Sequence, residues 1–314
     1  MPISPFYHLS PDVARALAVG TPIVALESTV ITHGLPYPEN LELAQDMERT
    51  VHEQGATPAT VAVLDGKVLI GLNTTQLERL ARGSAARKIS VRDFAPAIVQ
   101  KAIGGTTVAG TLVAAHAAGL RVFATGGIGG VHRQTPADKG NSFDISADLT
   151  QLAQTPLIVV CAGAKAILDL SATLEILETL GVPVLGYQTD EFPAFYSRRS
   201  GLPVSTRAET PQEIAEIAKT HWKMGFNSAV LVANPPPEED ALAPEAVDEA
   251  IRQALDETRA QNVRGQAVTP FLLRRVSELT AGGSLRANLA LLLNNARLAA
   301  QIASALQLPG QKTV

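Results

Sequence analysis

The sequence predicts an α/β fold, a three-layer α/β/α sandwich around a largely parallel central sheet, and three observations carry that expectation. Between Pro22 and Val232, short apolar runs alternate with helix-patterned segments in a strand-loop-helix-strand rhythm, the pattern of a sheet covered by helices on both faces. The 314 residues are 46% hydrophobic and 18% charged, enough apolar surface for a substantial core. Neither a repeat nor a low-complexity linker divides the chain, so residues 1–314 read as a single domain.

Taken in order, Ser10-Pro11 supplies an N-cap and a proline at the first helical position, opening a short helix that Gly20 ends. Pro22 to Thr29 reads as a buried strand and Glu39 to Glu53 as a helix stopped by Gly55. The apolar runs Ala59–Leu64 and Val68–Leu72, separated by Asp65-Gly66, form a hairpin. Gly104-Gly105 precedes a small-residue helix over Thr106–Ala118, and Leu120–Ala124 is the next strand. The rhythm continues with a strand at Leu157–Cys161, a helix at Ile167–Leu180, a strand at Val182–Leu185, a helix at Pro211–Met224 and a strand at Ala229–Val232. Pro235-Pro236-Pro237 is a rigid loop, and the last third is helical over Pro244–Gln261, Pro270–Thr280 and Ser284–Leu306. Leu285, Leu289, Leu292, Leu293 and Ala296 place an apolar stripe on the final helix.

Composition also excludes functions. A formal charge of −4, 4% aromatics and no dense basic block leave neither a phosphate-tracking stripe nor stacking platforms, so nucleic acid is not an expected partner. Cys161 is the only cysteine, which fits a reducing compartment; no continuous apolar run approaches the roughly 18 residues that span a bilayer, and the N-terminus lacks signal-peptide character. A cytoplasmic protein without membrane contact is the expectation.

In open α/β sheets ligands bind beyond the carboxyl ends of the strands, so polar residues just after apolar runs are the first candidates for chemistry. Lys165 follows Leu157–Cys161 among small residues, where a partly desolvated amine can attack a carbonyl or can simply pair with a carboxylate or phosphate. Glu27 sits at the end of a strand before two hydroxyls, suited to acid/base work if buried and to capping or ion pairing otherwise. His33, in the adjoining loop, titrates or hydrogen-bonds there. Strand alternation places Lys88, Ser90 and Arg92 on one face, a phosphate clamp or an ordinary solvated face. Gly104-Gly105-Thr106-Thr107 leads into a helix N-terminus that attracts anions. The glycine-rich stretch Thr125–His132 lacks the spacing of a dinucleotide fingerprint and any Walker lysine, which argues against a nucleotide cofactor. Asp144 and Asp148, four apart, share a helix face that can hold a hard divalent ion; alternatively Ser146 or Asp144 caps the helix, and the local sequence favours capping.

Together these segments resemble one family. Ala25 to Pro38, Gly104 to Thr111, Ala124 to Arg133, Asp144 to Asp148, Cys161 to Lys165, Gly186 to Tyr196, Ala233 to Pro236 and the Asn288 helix are similar, in order and over nearly the whole chain, to the pseudouridine-5′-phosphate glycosidase family, which includes the indigoidine synthase A-like proteins. The resemblance implies reversible cleavage of the C–C glycosidic bond of pseudouridine 5′-phosphate to uracil and ribose 5-phosphate. It implies one divalent ion per subunit, Mn²⁺ with Mg²⁺ as the other choice, and a homotrimer. By the same resemblance Lys165 is the nucleophile, Glu27 the proton donor and Asp144 the metal ligand. Lys88, the backbone at Val108, and Ser146, Ala147 and Asp148 contact substrate, and His132 and Asn288 belong to the active-site region. A C-glycoside offers no leaving-group oxygen to protonate, so an imine at C1′ of the ring-opened sugar supplies the electron sink. The rival readings are another imine-forming lyase using the same lysine and a non-catalytic binder of sugar phosphates.

Overall fold

The structure, a computed structural model, describes residues 4–133, 144–261, 263 and 268–307. Strand β1 (Tyr7–Leu9) leads to α1 (Pro11–Val19), β2 (Ile23–Leu26), a short α2 (Thr29–His33), α3 (Glu39–Glu53), the hairpin of β3 (Thr57–Leu64) and β4 (Lys67–Ile70), α4 (Thr74–Ala81) and β5 (Arg87–Ile89). A 3-10 turn at Val91–Asp93 runs into α5 (Phe94–Val99), followed by β6 (Gly104–Thr106), α6 (Val108–Ala117), β7 (Val122–Ala124) and β8 (Val131–His132). Then come α7 (Ala147–Leu152), β9 (Ile158–Cys161), β10 (Leu168–Asp169), α8 (Leu170–Thr179), β11 (Val184–Tyr187), β12 (Thr206–Ala208), α9 (Pro211–Lys223) and β13 (Val230–Ala233). Helices α10 (Pro244–Ala260), α11 (Val268–Leu279) and α12 (Gly283–Leu306) complete the chain.

Local chemistry accounts for the boundaries. The Ser10 hydroxyl accepts the Val13 N–H, Pro11 opens α1, and Gly20 closes it in the left-handed region with its N–H on Ala16. Asp65 and Gly66 both take positive φ (53° and 77°), the geometry of a two-residue hairpin turn that matches strand twist.

Eleven strands form one sheet whose main path runs β1-β4-β3-β2-β7-β9-β13-β11-β12, with β5 and β6 branching from β3. From β2 through β12 along that path every pairing is parallel. Chain connections leave β2 toward β3 on one side and β7 toward β9 on the other. The direction of winding therefore reverses between β2 and β7, where an open sheet leaves a crevice at its carboxyl edge. Strands β2, β7, β9 and β13 are buried throughout, and a continuous apolar core runs from Val13 to Ala303.

Helix α12 packs against α3 and α9 and lies across β2, β7 and β9, while α6 packs with α7 and contacts β2 and β3, giving the expected layers. Residues Gly283–Leu306 are long and apolar enough to span a bilayer by length and composition, with 50% of the qualifying window buried inside the protein, so here that composition serves a core helix.

Four sequence expectations shift. Gly104–Thr106 is a strand, pairing with β3 and β5, and the helix begins only at Val108 after Thr107 caps Gly110; three small residues carry no periodicity to announce a strand. Strand β5 ends at Ile89, where Ser90 starts the 3-10 turn, so Lys88 and Arg92 do not share a strand face and Arg92 points to solvent, 85% exposed. The helix expected from Ile167 starts at Leu170, because Leu168 and Asp169 pair with β8 and Asp169 caps the helix. The α12 stripe is wider than expected: Leu292 and Ala296 are buried, but so are Ala287, Leu291, Asn295, Ala299 and Ala303, while Leu285, Leu289 and Leu293 are only partly covered.

Candidate active site

Sheet register aligns the chemistry. Leu26 of β2 lies opposite Ala124 of β7, and Ala124 opposite Val160 of β9, so the residues immediately beyond, Glu27, Thr125 and Cys161, form a row across the crevice. Glu27 is buried, and the Thr125 hydroxyl donates a short hydrogen bond to its Oε1. Lys165 is carried by the loop after β9, which is laced to the loop after β7: Ile128 N–H donates to Gly163 O at 3.1 Å and Lys165 N–H to Ile128 O at 3.1 Å. Lys88 arrives from β5, opposite Gly105 of β6. A pocket closes over these groups, lined by Glu27, His33, Lys88, Lys165, Phe195 and Asn288 among others.

Burial sets the electrostatics. Desolvation pushes the Glu27 carboxyl above its ordinary value of 4.5; the Lys165 cation, the Thr125 hydrogen bond and Lys88 pull the other way, and the Asp148 carboxylate adds to the rise. Lys88 is held below the usual lysine range by desolvation and then by the Lys165 ammonium, with Asp148 and Glu27 opposing. His33 is lowered by burial and then by Lys88, and its Nδ1 shares a 2.7 Å hydrogen bond with Thr32. Cys161, at the end of β9, has its thiol pushed up to about 12 by burial, which leaves it inert at neutral pH.

The glycine-rich stretch after β7 has a packing explanation. A Cβ on Gly127 would stand 2.6 Å from the Phe195 ring that walls the pocket, and one on Gly129 would stand 2.2 Å from the Ser146 hydroxyl and 2.7 Å from Asp148 Oδ2. Only glycine lets the loop approach these partners.

Asp144 and Asp148 separate in character. Helix α7 begins at Ala147 with Ser146 as its N-cap, the capping that the local sequence favours, so Asp144 lies before the helix and the alternative of a shared carboxylate face does not form. Asp148 is buried, with Oδ1 accepting Ala109 N–H and Oδ2 accepting Gly129 N–H, both at 2.8 Å. It thereby occupies the α6 N-terminus that the sequence offered to an external anion, directly behind Val108. Asp144 is 69% exposed and stands 3.8 Å from His132 Nδ1, and its carbonyl accepts the His132 N–H. His132 lines a different, outer groove with Arg133 and Arg199. The structure thus brings Glu27, Lys88, Lys165 and Asn288 into one pocket and places Asp148 within electrostatic reach, while His132 and Asp144 lie together outside that pocket's walls.

No group of three His, Cys, Asp or Glu side chains able to hold a metal assembles among the described residues. Both Asp148 oxygens accept backbone N–H groups, and Asp144 is the more exposed of the two carboxylates. One carboxylate completed by water and substrate oxygens is a donor set that hard divalent ions accept, and the residues present fit an ion held that way.

Thr125 was missed by sequence reasoning, as were Thr29, Phe195 and Leu273 of the pocket wall. The signal for Thr125 was its position one residue past an apolar run, the criterion that found Glu27.

A buried carboxyl facing two amines at the switch crevice of a parallel sheet is the arrangement of an α/β enzyme rather than of a scaffold. The family described as indigoidine synthase A like protein matches residues 12–305, and the chain belongs to that family. It is 53% identical over 298 residues to a pseudouridine-5′-phosphate glycosidase of Geobacillus kaustophilus, covering 95% of this chain and 98% of that one. A protein of the same name from Paracoccus denitrificans is 53% identical over 304 residues, covering 96% and 99%. Among solved structures, the prealnumycin C-glycosynthase AlnA in complex with ribulose 5-phosphate superposes with a TM-score of 0.88 at 40% identity, covering 96% of this chain and 97% of that one. An indigoidine synthase A-like protein from Thermotoga maritima gives 0.85 at 35% identity, covering 95% of each.

Proposed function

We propose that the protein catalyses the reversible cleavage of the C–C glycosidic bond of pseudouridine 5′-phosphate to uracil and ribose 5-phosphate. Its relatives carry that name, and a superposing neighbour is a C-glycosynthase in complex with a sugar phosphate. The observation that carries the reading is the placement of a buried Glu27, its carboxyl raised from its ordinary value by desolvation, in one pocket with Lys165.

The Lys165 amine nitrogen adds to C1′ and displaces the ring oxygen, to which Glu27 gives its proton, opening the sugar. The Glu27 carboxylate then takes a proton from the attacking nitrogen. The nitrogen lone pair expels uracil from C1′ as C5 of the base receives the proton back, leaving a C1′–lysine imine that water hydrolyses to ribose 5-phosphate. Lys88, which lines the same pocket, attracts the anionic sugar phosphate. Val108, Ser146 and Ala147, at the starts of α6 and α7 beside Asp148, are the substrate contacts of this reading, and Asn288 contributes an amide from α12. A divalent ion, Mn²⁺ or Mg²⁺, held by Asp144 beside His132 supplies charge neutralisation for the substrate when bound. A homotrimer and a cytoplasmic location complete the reading; sedimentation equilibrium and cell fractionation test them.

The deciding experiment incubates the protein with uracil, ribose 5-phosphate and Mn²⁺, alongside Lys165→Ala, and analyses products by mass spectrometry. Pseudouridine 5′-phosphate from the wild type alone is the expected result. Borohydride trapping of ribose 5-phosphate on Lys165 without any uracil chemistry would move the assignment to a different imine-forming lyase. Binding without trapping would leave a sugar-phosphate binder.

A further inference from the structure

Asn295 takes no part in the steps above, yet it is wholly buried with both ends of its side-chain amide engaged. Its Nδ2 donates to Thr125 O at 2.9 Å and to Gly126 O at 3.4 Å, and its Oδ1 accepts from Asn234 Nδ2 at 3.0 Å. The Asn234 N–H in turn donates to Cys161 O at 2.8 Å. Two buried side-chain amides thus tie the residues that follow β7 and β13 to each other, on the stretch of α12 that also sends Asn288 and Leu292 to the pocket wall. Apolar side chains would fill this core at less desolvation cost, so the pair has a specific task.

We propose that Asn295, held by Asn234, is a positioning residue that fixes the Thr125 backbone so that the Thr125 hydroxyl stays on the Glu27 carboxyl. This rests on the reading of Glu27 as proton donor. Glu27 also faces Lys165 and Lys88, the Asp148 carboxylate and, across the pocket, His33, so its titration reports on any displacement within the group. Loosening Thr125 weakens a hydrogen bond that favours the charged carboxylate, and the Glu27 midpoint moves up.

The test follows the Glu27 carboxyl by ¹³C NMR titration, assigned with Glu27→Gln, in wild type, Thr125→Val, Asn295→Leu and Asn295→Ser; the last shortens the side chain without adding charge if the leucine variant fails to fold. An upward shift of about one pH unit in Thr125→Val, the scale of one hydrogen bond to a charged group, and a shift in the same direction at Asn295 are expected. A fall in kcat of about tenfold at unchanged KM accompanies it. Lowered melting temperatures with an unmoved Glu27 midpoint and unchanged kcat would overturn the proposal and leave Asn295 a stabilising residue. Absence of pseudouridine 5′-phosphate cleavage by the wild type would instead overturn the functional reading, while the titration would still decide the role of Asn295.

Discussion

The inner pocket and the outer rim hold the same kinds of side chain and treat them differently. Inside, Glu27, Lys88 and Lys165 converge from three strand ends, and burial drives the first two from their ordinary protonation behaviour. At the rim, Asp144 stands largely in solvent beside a half-buried His132. A third region sharpens the contrast: the groove at the amino ends of β2 and β7, lined by Arg121, Lys219, Lys223 and Trp222, is roomy but gathers only cations at its edge. Reactive chemistry in this molecule follows desolvation and fixed partners, not the size of a cavity or the number of charges around it.

The largest test of that contrast is Lys165→Ala, which should lower turnover by about 10⁴-fold or more while circular dichroism and melting temperature stay near wild type. Wild-type rates of uracil release would remove the pocket from the chemistry. Next comes Glu27→Gln, with a loss of about 10² to 10⁴-fold and an effect on stability whose sign is fixed. Because the native carboxyl keeps its proton above its ordinary value of 4.5, the folded state binds more protons than the unfolded chain as pH rises from there to the native midpoint, and stability falls across that window. Lys165 and Lys88 offset part of this, but burial is the largest cause. Glu27→Gln should therefore gain on wild type in thermal melts as pH rises through the window, and a parallel pair of curves would show that Glu27 ionises normally.

Asp148 belongs to the inner region and acts through structure. Replacing it by alanine leaves two buried N–H groups, of Ala109 and Gly129, without their acceptor. A loss of about 3 kcal/mol is expected in urea unfolding, against a near-neutral result if water fills the site.

The difference between regions also explains what could be read in the sequence. Strands β2, β3, β7, β9, β11 and β13 were legible because their apolar runs alternate with helix patterns, and the position rule for strand ends found Glu27 and Lys165. Strands β6, β8 and β10, two or three residues each, have no period to detect and exist only through their partners. The i, i+4 spacing of Asp144 and Asp148 implied a shared face, but the Ser146 cap set the helix start after Asp144 and sent the two carboxylates to opposite fates. Asn295 was invisible for a related reason: in a helix buried on most sides, an asparagine next to Asn294 is read as part of the polar face until tertiary contacts show it facing Thr125.

The rim supplies the smallest expected effect. If Asp144 anchors a water-rich divalent ion beside the pocket, Asp144→Ala should leave the fold and the Glu27 titration untouched and raise the Mn²⁺ concentration for half-maximal activity by about 10- to 100-fold. Its exposure makes the structural cost small, since an exposed carboxylate 3.8 Å from an imidazole contributes little to stability. A metal titration of activity, run beside binding measured by Mn²⁺ electron paramagnetic resonance, separates two outcomes. Weaker binding with activity restored at high Mn²⁺ places the ion on Asp144. An unchanged metal response in both measurements places it elsewhere and makes the pocket, with its lysines and single carboxyl, sufficient for the chemistry without the rim.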